Sequence, residues 1–167
     1  MIKKFGIIGK PIKHSLSPVL HNYWFEKYEI NASYSIIDVN EDNLKDVVSK
    51  IKDKVLSGLN ITLPYKQRIV PHLDYLVNDA KITSSVNTLY LDEKNNTVGE
   101  NTDVFGLQAA YLKEVDKASE KKALVIGAGG VSPSVILSLE KSGVKNISII
   151  NRTYEKCIFL KKKFKNI

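Results

Sequence analysis

Polar and titratable side chains gather in the first 103 residues, at predicted strand ends and in the loops that follow them. Hydroxyl and amide groups can hold the oxygens of a polar ligand, and lysine and aspartate can also move a proton. The set comprises Ser15, Ser17, Asn60, Thr62, Lys66, Asn87 and Asp103. Read singly, Ser17 fits a helix cap, Lys66 a surface lysine and Asp103 an N-cap. Ligands bind at the carboxyl ends of strands in open α/β sheets, which makes the set a candidate site.

A glycine-rich turn, Gly127-Ala128-Gly129-Gly130, lies between an apolar segment and a segment with helical spacing. In such a turn the backbone N–H groups can approach a pyrophosphate, and the helix N-terminus favours negative charge. Gly127 and Gly129 match the first two glycines of the dinucleotide-binding fingerprint, whereas the third small position falls on Ser132. The alternative is a tight strand-to-helix turn without a ligand.

The residues after the next predicted strand bear on cofactor choice. NAD-binding folds usually place an acidic residue there, but this chain has Asn151-Arg152-Thr153. A guanidinium pairs with a 2′-phosphate and stacks on adenine, whereas a carboxylate would repel the phosphate. The segment therefore favours NADP over NAD, and Lys156 adds charge one helical turn later. The alternative is that Arg152 merely begins a surface helix.

Alternating strand and helix patterns are predicted to position these residues. The first elements have the order β-α-β-α-β: a strand at Phe5–Ile8, a helix from Ser17 through Tyr28, a strand at Ser33–Val39, a helix at Glu41–Lys52 and a strand at Leu59–Thr62. Gln67–Leu76 has helical spacing in spite of Pro71, and Val86–Leu91 with Thr97–Glu100 is predicted to form a β-hairpin.

The second half repeats the alternation. The predicted elements are a helix at Asp103–Val115, a connector at Asp116–Lys122, a strand at Ala123–Ile126, a helix ending near Lys141 and a strand at Ile147–Ile150. Such an order predicts an α/β fold with a mostly parallel sheet covered by helices on both faces.

Length and composition limit the partners. With 167 residues the chain holds little more than one domain of about 150 residues. The net charge is +7, but lysines alternate with acidic residues and Lys161–Lys165 is the one dense run, so we expect a solvated helix face there and no nucleic acid partner. No apolar run approaches the ~20 residues that span a bilayer, and we expect a cytoplasmic protein without membrane contact.

Cysteine and histidine usage excludes several kinds of site. Cys157 is the only cysteine, which rules out an intramolecular disulfide and a cysteine-rich zinc site. The three histidines are scattered, and we expect no metal. We interpret His14 and His21 as packing groups and Cys157 as a small apolar residue.

Six motifs, taken together, resemble the shikimate dehydrogenase family. They are the substrate-loop motif Gly9–Pro18, the N-x-T-x-P-x-K segment Asn60–Lys66, the VNT motif Val86–Thr88, the G-x-N-T-D-x-x-G motif Gly99–Gly106, and the NADP motifs Gly127–Gly130 and Asn151–Thr153. Their order and their spread over essentially the whole chain make the resemblance more specific than any single motif.

The resemblance implies a function. It implies reversible, NADP(H)-dependent reduction of 3-dehydroshikimate to shikimate, a step toward aromatic amino acids. Ser15 and Ser17 would hold the substrate carboxylate, and Asn60, Thr62, Asn87 and Asp103 its ring hydroxyls. Lys66 would be the acid/base paired with Asp103, although the residues do not divide the proton between them. The implied cofactor contacts are Gly127, Ala128, Gly129, Gly130, Val131, Asn151, Arg152, Thr153 and Lys156. We expect a small-molecule substrate and a monomer or homodimer.

The chain also departs from the family pattern. Ser84-Ser85 stands where Gly-Ala often precedes VNT, and Pro133 where a basic or small residue is common. Family members continue well past Ile167, so we expect a fragment or an incomplete record. Its parts would be a substrate domain at 1–102, a connecting helix and linker at 103–122, and a partial Rossmann-type NADP-binding domain at 123–167.

Weak NADP affinity, an unpaired strand edge prone to association, and little or no turnover should follow from such an incomplete domain. Two alternatives stay open. One is a quinate-accepting enzyme of the same group, and the other is a non-catalytic module that binds shikimate.

Overall fold

Six strands from the first hundred residues form the larger of two sheets in the computed structural model, which describes residues 2–167. The strands are β1 (Lys3–Ile8), β2 (Ala32–Ile36), β3 (Gly58–Ile61), β4 (Tyr75–Leu76), β5 (Thr88–Leu91) and β6 (Thr97–Glu100). Their order across the sheet is β2-β1-β3-β5-β6-β4. Only β5 runs opposite to the others, because it is antiparallel to both β3 and β6. The predicted α/β class with a mostly parallel sheet is confirmed.

The smaller sheet pairs β7 (Lys122–Ile126) with β8 (Asn146–Ile150) in parallel. The register runs from Lys122 opposite Asn146 to Ile126 opposite Ile150. Val125 and Ile147 face a second apolar core, in which Ile136 of the following helix is fully buried.

Residues 2–167 also contain six α-helices: α1 (Ser17–Lys27), α2 (Leu44–Lys52), α3 (Asn78–Thr83), α4 (Asp103–Ala110), α5 (Ser132–Lys141) and α6 (Tyr154–Lys163). Short 3₁₀ turns occur at Glu41–Asn43, Val70–His72, Leu112–Glu114 and Ala118–Glu120. Helix α2 shows why these segments fold as they do. Its apolar residues Leu44, Val47, Val48 and Ile51 recur at helical spacing and are all buried, so one face packs on the larger sheet.

The prediction of a helix at Gln67–Leu76 is wrong. This segment contains only the 3₁₀ turn at Val70–His72 before it enters β4. Pro71 lacks an N–H and its ring collides with the preceding helical turn, and here it stands at the start of the short turn instead. Neither β4 nor α3 was predicted, since both are short.

The structure also differs from the predicted end of the helix that begins at Asp103 and from the predicted exposure of the lysine run. The helix predicted for Asp103–Val115 ends at Ala110 and is followed by a 3₁₀ turn. The lysine run is not uniformly exposed to solvent. Helix α6 ends at Lys163, whose ammonium donates to the Ser84 hydroxyl at 2.9 Å, and Phe164 is buried.

The β5–β6 hairpin is confirmed, with Thr88 opposite Glu100 and Leu91 opposite Thr97. Across residues 2–167, none of the helices has the length and apolar character needed to cross a bilayer.

Candidate functional site

The Lys66 ammonium and the Asp103 carboxylate meet at the edge of the larger sheet where β3 and β6 end. Lys66 Nζ donates to Asp103 Oδ2 at 2.6 Å. Lys66 lies in the turns that follow β3, and its carbonyl accepts from the N–H of Val86 at 2.8 Å, which fixes its backbone. Asp103 is the first residue of α4. The two side chains are only 13% and 24% exposed, so the pair is partly withdrawn from water while one side stays accessible.

Asn87 holds the second oxygen of the same carboxylate. Its Nδ2 donates to Asp103 Oδ1 at 2.8 Å and to Thr102 Oγ1 at 2.9 Å, while its Oδ1 accepts from the Thr102 N–H at 3.0 Å. Each oxygen of Asp103 therefore has its own donor, and the carboxylate is fixed in orientation. Thr102 was not among the predicted residues, although it adjoins Asp103 in the sequence.

Asn60 and Tyr34 extend this cluster toward β2. Asn60 Nδ2 donates to the Asn87 carbonyl at 3.2 Å, and the Tyr34 hydroxyl donates to Asn60 Oδ1 at 2.7 Å. Burial raises the pKa of Tyr34 to about 12, although a hydrogen bond with Ser17 lowers the pKa. The phenol therefore stays a neutral donor at ordinary pH. Tyr34 was not predicted as a site residue. The alternation of side chains along β2 was a signal that Tyr34 lies on the buried face of that strand.

The serine loop lies beside Tyr34. Ser15 Oγ donates to Ser17 Oγ at 3.2 Å and accepts from the Ser17 N–H at 3.3 Å. Ser17 is the first residue of α1, and the N-cap position falls on Leu16. His21 stacks on the Tyr34 ring with a centroid separation of 4.3 Å, which is the packing role interpreted from the sequence.

Thr62 lies against the start of the same loop. Its N–H donates to the Ile8 carbonyl at 2.9 Å. A Cβ added at Gly9 would come within 2.4 Å of the Thr62 methyl group, so only glycine fits at Gly9. The structure thus brings all seven predicted residues of the first set to one edge of the larger sheet.

The glycine-rich turn joins β7 to α5. Gly127 has φ +107°, a conformation that residues with a Cβ rarely adopt. Ser132 Oγ accepts from the Gly129 N–H and donates to the Gly127 carbonyl, both at 2.9 Å. Asn151 Oδ1 accepts from the Ala128 N–H at 3.0 Å. Ser132, the imperfect third position of the fingerprint, therefore closes the turn through its hydroxyl.

Two N–H groups of the turn are left for a ligand. Within residues 2–167, the N–H groups of Gly130 and Val131 donate to no protein acceptor. A Cβ added at Gly129 would meet no atom within 4 Å, so the space beside the turn is open. Free N–H groups at the start of a helix are suited to an anion. The side chain of Asn151, in contrast, is engaged inside the turn.

A cleft of about 400 Å³ separates this turn from the segment that carries Lys66. Lys156 and Arg68 both line it, and Arg68 also pairs with Glu41. Arg68 was not predicted from the sequence. Arg152 and Thr153 are exposed beyond the end of β8. A Cβ added at Gly130 would lie 3.7 Å from Lys66 Cβ, so the two candidate sites adjoin.

Both parts of the chain match known protein families. A family model described as "Shikimate dehydrogenase substrate binding domain" matches residues 7–89, and one described as "Shikimate / quinate 5-dehydrogenase" matches residues 109–167. The chain is 46% identical, over 167 residues, to "Shikimate dehydrogenase (NADP(+))" of Pelagibacter ubique (strain HTCC1062). The chain belongs to the shikimate dehydrogenase family.

Solved structures of shikimate dehydrogenases are also similar. The enzyme from Aquifex aeolicus gives a TM-score of 0.90 at 38% identity, with 98% of this chain and 60% of that chain covered. A shikimate dehydrogenase in complex with NADP+ gives 0.88 at 36% identity, with 97% and 55% covered. The Pelagibacter match covers 100% of this chain and 63% of the relative, so this chain spans less than two thirds of the proteins it resembles.

Both departures from the usual shikimate dehydrogenase pattern have a structural place. Ser85 Oγ donates to the Gly130 carbonyl at 2.8 Å, which joins the VNT region to the glycine-rich turn. Pro133 occupies the first turn of α5, where its missing N–H costs no helical hydrogen bond. Neither departure removes a polar partner from the sites described above.

A larger cavity of about 650 Å³ lies outside the predicted site. Its lining residues include Gly9, Lys13 and Lys50. None of the substrate-binding or cofactor-binding residues predicted from the sequence lines this cavity. Within residues 2–167, no group of three His, Cys, Asp or Glu side chains is arranged to hold a metal ion. Cys157 is buried in α6.

Proposed function

We propose that this chain carries the substrate site and the first part of the cofactor site of an NADP-dependent shikimate dehydrogenase, which reversibly reduces 3-dehydroshikimate to shikimate. The observation that carries the proposal is the 2.6 Å contact between Lys66 Nζ and Asp103 Oδ2 beside a glycine-rich turn. The name of the Pelagibacter relative and the NADP+ complex of a similar structure support it.

Lys66 is the proposed acid/base. Reduction of a ketone places charge on its oxygen, and a group within hydrogen-bond reach must deliver a proton there. The Lys66 ammonium donates that proton in the direction of reduction and takes it back in the reverse direction. Asp103 orients the ammonium through Oδ2 and accepts from a ring hydroxyl.

The other polar groups recognise the ring. Shikimate carries a carboxylate and several hydroxyls, and each needs a partner when the site excludes water. In our proposal Ser15 and Ser17 bind the carboxylate. Asn60, Thr62 and Asn87 take hydroxyls. Hydrogen bonds between Ser15 and Ser17, and from Asn60 to the Asn87 carbonyl, hold these four residues in position before a ligand enters.

The residues present fit the cofactor. The free N–H groups of Gly130 and Val131 would bind the pyrophosphate, and Arg152 with Lys156 would bind the 2′-phosphate. Bound NADPH supplies the hydride. We further propose that residues 1–102 form the substrate domain, 103–122 the connection, and 123–167 the first part of the cofactor domain.

The test is calorimetric titration of the 167-residue chain with shikimate, followed by nicotinamide absorbance with shikimate and NADP. Shikimate should bind, and Lys66→Ala should lower any turnover by about 10²-fold while the affinity changes by less than about 5-fold. Lys52→Ala is the matched control, because that lysine pairs with Asp74 at the far side of the sheet.

Four outcomes distinguish the proposed function from its alternatives. Absence of shikimate binding contradicts the proposal, and near-normal turnover in Lys66→Ala removes Lys66 from its role. Because an incomplete cofactor domain also predicts little turnover, binding of shikimate without turnover supports a non-catalytic module only if the same calorimetry detects no binding of NADP. Tighter binding of quinate than of shikimate supports the quinate-accepting alternative; the description of the second family model names both compounds.

A further inference from the structure

Polar side chains are buried where the larger sheet meets helix α5. Thr83, Ser85, Asn101 and Ser134 are each no more than 4% exposed. Asn101 lies at their centre: its Nδ2 donates to the Ser85 carbonyl and to Ser134 Oγ, both at 2.8 Å, and to Thr83 Oγ1 at 3.1 Å. No buried side-chain nitrogen or oxygen in residues 2–167 lacks a hydrogen-bond partner. The junction is therefore fully paired.

A continuous chain of hydrogen bonds runs through this junction from Asp103 to the glycine-rich turn. The Asp103 N–H donates to Asn101 Oδ1 at 3.1 Å, and Asn101 Nδ2 donates to the Ser85 carbonyl at 2.8 Å. Ser85 Oγ then donates to the Gly130 carbonyl at 2.8 Å. Two side chains, neither of which belongs to the proposed ligand contacts, thus link the two proposed ligand sites.

We propose that Asn101 and Ser85 are positioning residues that couple the cofactor turn to the Lys66–Asp103 pair. This inference rests on the proposed function for the identity of the two ligands. Asn101 fixes the start of α4, and with it the direction of the Asp103 carboxylate. Ser85 fixes the Gly130 carbonyl, and with it the direction of the Val131 N–H in the same peptide plane. An anion that orders the turn therefore also favours one arrangement of the proton-transfer pair.

Burial makes the hydrogen bonds of this chain costly to break. A buried polar group that loses its partner pays the full cost of desolvation, so the links cannot exchange freely with water. Each hydrogen bond accordingly favours one geometry. Displacement of the glycine-rich turn would therefore distort the hydrogen bond to Ser85 and, through it, the contact with Asn101.

A second set of contacts crosses the same interface without reaching Asp103. Lys163 Nζ donates to Ser84 Oγ at 2.9 Å, and Lys141 Nζ pairs with Asp79 Oδ1 at 2.5 Å. Ser84→Ala therefore removes a serine hydroxyl that bridges the same two parts of the chain. It is the matched control for Ser85→Ala, which removes only the link to Gly130. Asn101→Ala would leave several buried groups unpaired and risks unfolding.

The first measurement needs no ligand. In ¹H–¹⁵N spectra of the 167-residue chain, Ser85→Ala should shift the amide signals of Gly130 and of Asp103, whereas Ser84→Ala should leave the Asp103 signal in place. An unmoved Asp103 signal in Ser85→Ala overturns the coupling, whatever the chain binds. An equal shift in both variants also overturns it, because that result reports general loosening of the interface.

The second measurement uses ligands that do not touch each other. Shikimate affinity is determined with and without saturating 2′-phospho-ADP-ribose, which carries the pyrophosphate but no nicotinamide. The nucleotide should raise shikimate affinity about 5-fold in the wild type and in Ser84→Ala, and by less than about 1.5-fold in Ser85→Ala. Equal enhancement in all three proteins contradicts the inference. If neither ligand binds, the proposed function fails, and the spectra alone decide the coupling.

Discussion

The Tyr34 hydroxyl donates to Asn60 Oδ1 at 2.7 Å, which ties strand β2 to the polar cluster at the end of β3. Asn60 in turn donates to the Asn87 carbonyl, and Asn87 donates to Asp103. Tyr34 is 5% exposed, and its raised pKa keeps the phenol protonated as a donor. The buried Tyr34 thus orients the Asn60 side chain. The sequence predicted Asn60 as a ligand contact but did not predict this hydrogen bond.

Tyr34→Phe should weaken shikimate binding. The ring stays in place, but Asn60 Oδ1 loses its donor and the amide is no longer fixed. We expect about a 5-fold loss of shikimate affinity by calorimetry and a loss of about 1 kcal/mol in the free energy of unfolding. Tyr75→Phe is the control, because its hydroxyl bonds to Asp92 at an exposed position. Unchanged shikimate affinity in Tyr34→Phe would remove the tyrosine from the site.

Arg152→Ala should separate NADP from NAD. In the proposed function the Arg152 guanidinium pairs with the 2′-phosphate, which NAD lacks. We expect about a 10-fold loss of NADP affinity and little change for NAD, measured by titration at fixed salt. Lys162→Ala removes another exposed positive charge, from α6, and controls for net charge. An equal loss for both nucleotides would contradict a role in 2′-phosphate recognition.

Two glycines should respond oppositely to alanine. Gly127 has φ +107°, so Gly127→Ala strains the turn and should cost about 1–3 kcal/mol of unfolding free energy. Gly106 lies within α4, and a Cβ there meets no atom within 4 Å. Gly106→Ala should therefore be neutral or stabilise the chain by up to about 1 kcal/mol. Urea denaturation of both variants checks the pair, and similar costs would show that the positive φ is not the cause.

Asp74 should contribute to acid sensitivity. Hydrogen bonds from the Thr97 N–H, Lys52 and the Thr97 hydroxyl lower the pKa of Asp74 from 3.8 to about 2. Because the folded pKa lies below the unfolded one, this stabilisation is complete above about pH 4 and is lost as the pH falls toward 2. Asp74→Asn should therefore flatten the decline of the urea midpoint in that range.

The acid response needs a control because Asp92 has a similar shift. Its pKa is also lowered to about 2, chiefly by hydrogen bonds from Asn96, so some decline should persist in Asp74→Asn. Asp42→Asn is the control, since the Asp42 carboxylate has no hydrogen-bond partner among residues 2–167. A decline as steep in Asp74→Asn as in the wild type would contradict the assignment.

The sequence predicted most strands and helices because local spacing and burial agree there. Helix α2 is an example: its four apolar residues recur at helical spacing and are buried. Gln67–Leu76 failed because its spacing suits a helix while Pro71 and the pairing of Tyr75 with Val98 favour a turn and a strand. That pairing depends on a partner far along the chain, which no local pattern contains.

In the candidate site, too, some residues could be predicted from the sequence and others could not. Lys66 and Asp103 stand out by residue type and motif, and the structure brings them together, although their roles stay predictions. Asn101 and Ser85 act through contacts with Ser134 and Gly130, which lie much later in the chain. Asn101 lies in one of the motifs and Ser85 is a departure from the family pattern, but their buried hydrogen bonds depend on the tertiary fold, so the sequence did not predict that they link the two sites.

The separation of 37 residues between Lys66 and Asp103 has a consequence for folding kinetics. Strands β4, β5 and β6 and helix α3 all lie within that interval. The ion pair is therefore a high-contact-order feature, which cannot close until the intervening hairpin has docked. In refolding experiments, recovery of ligand affinity should lag behind the recovery of helical circular dichroism.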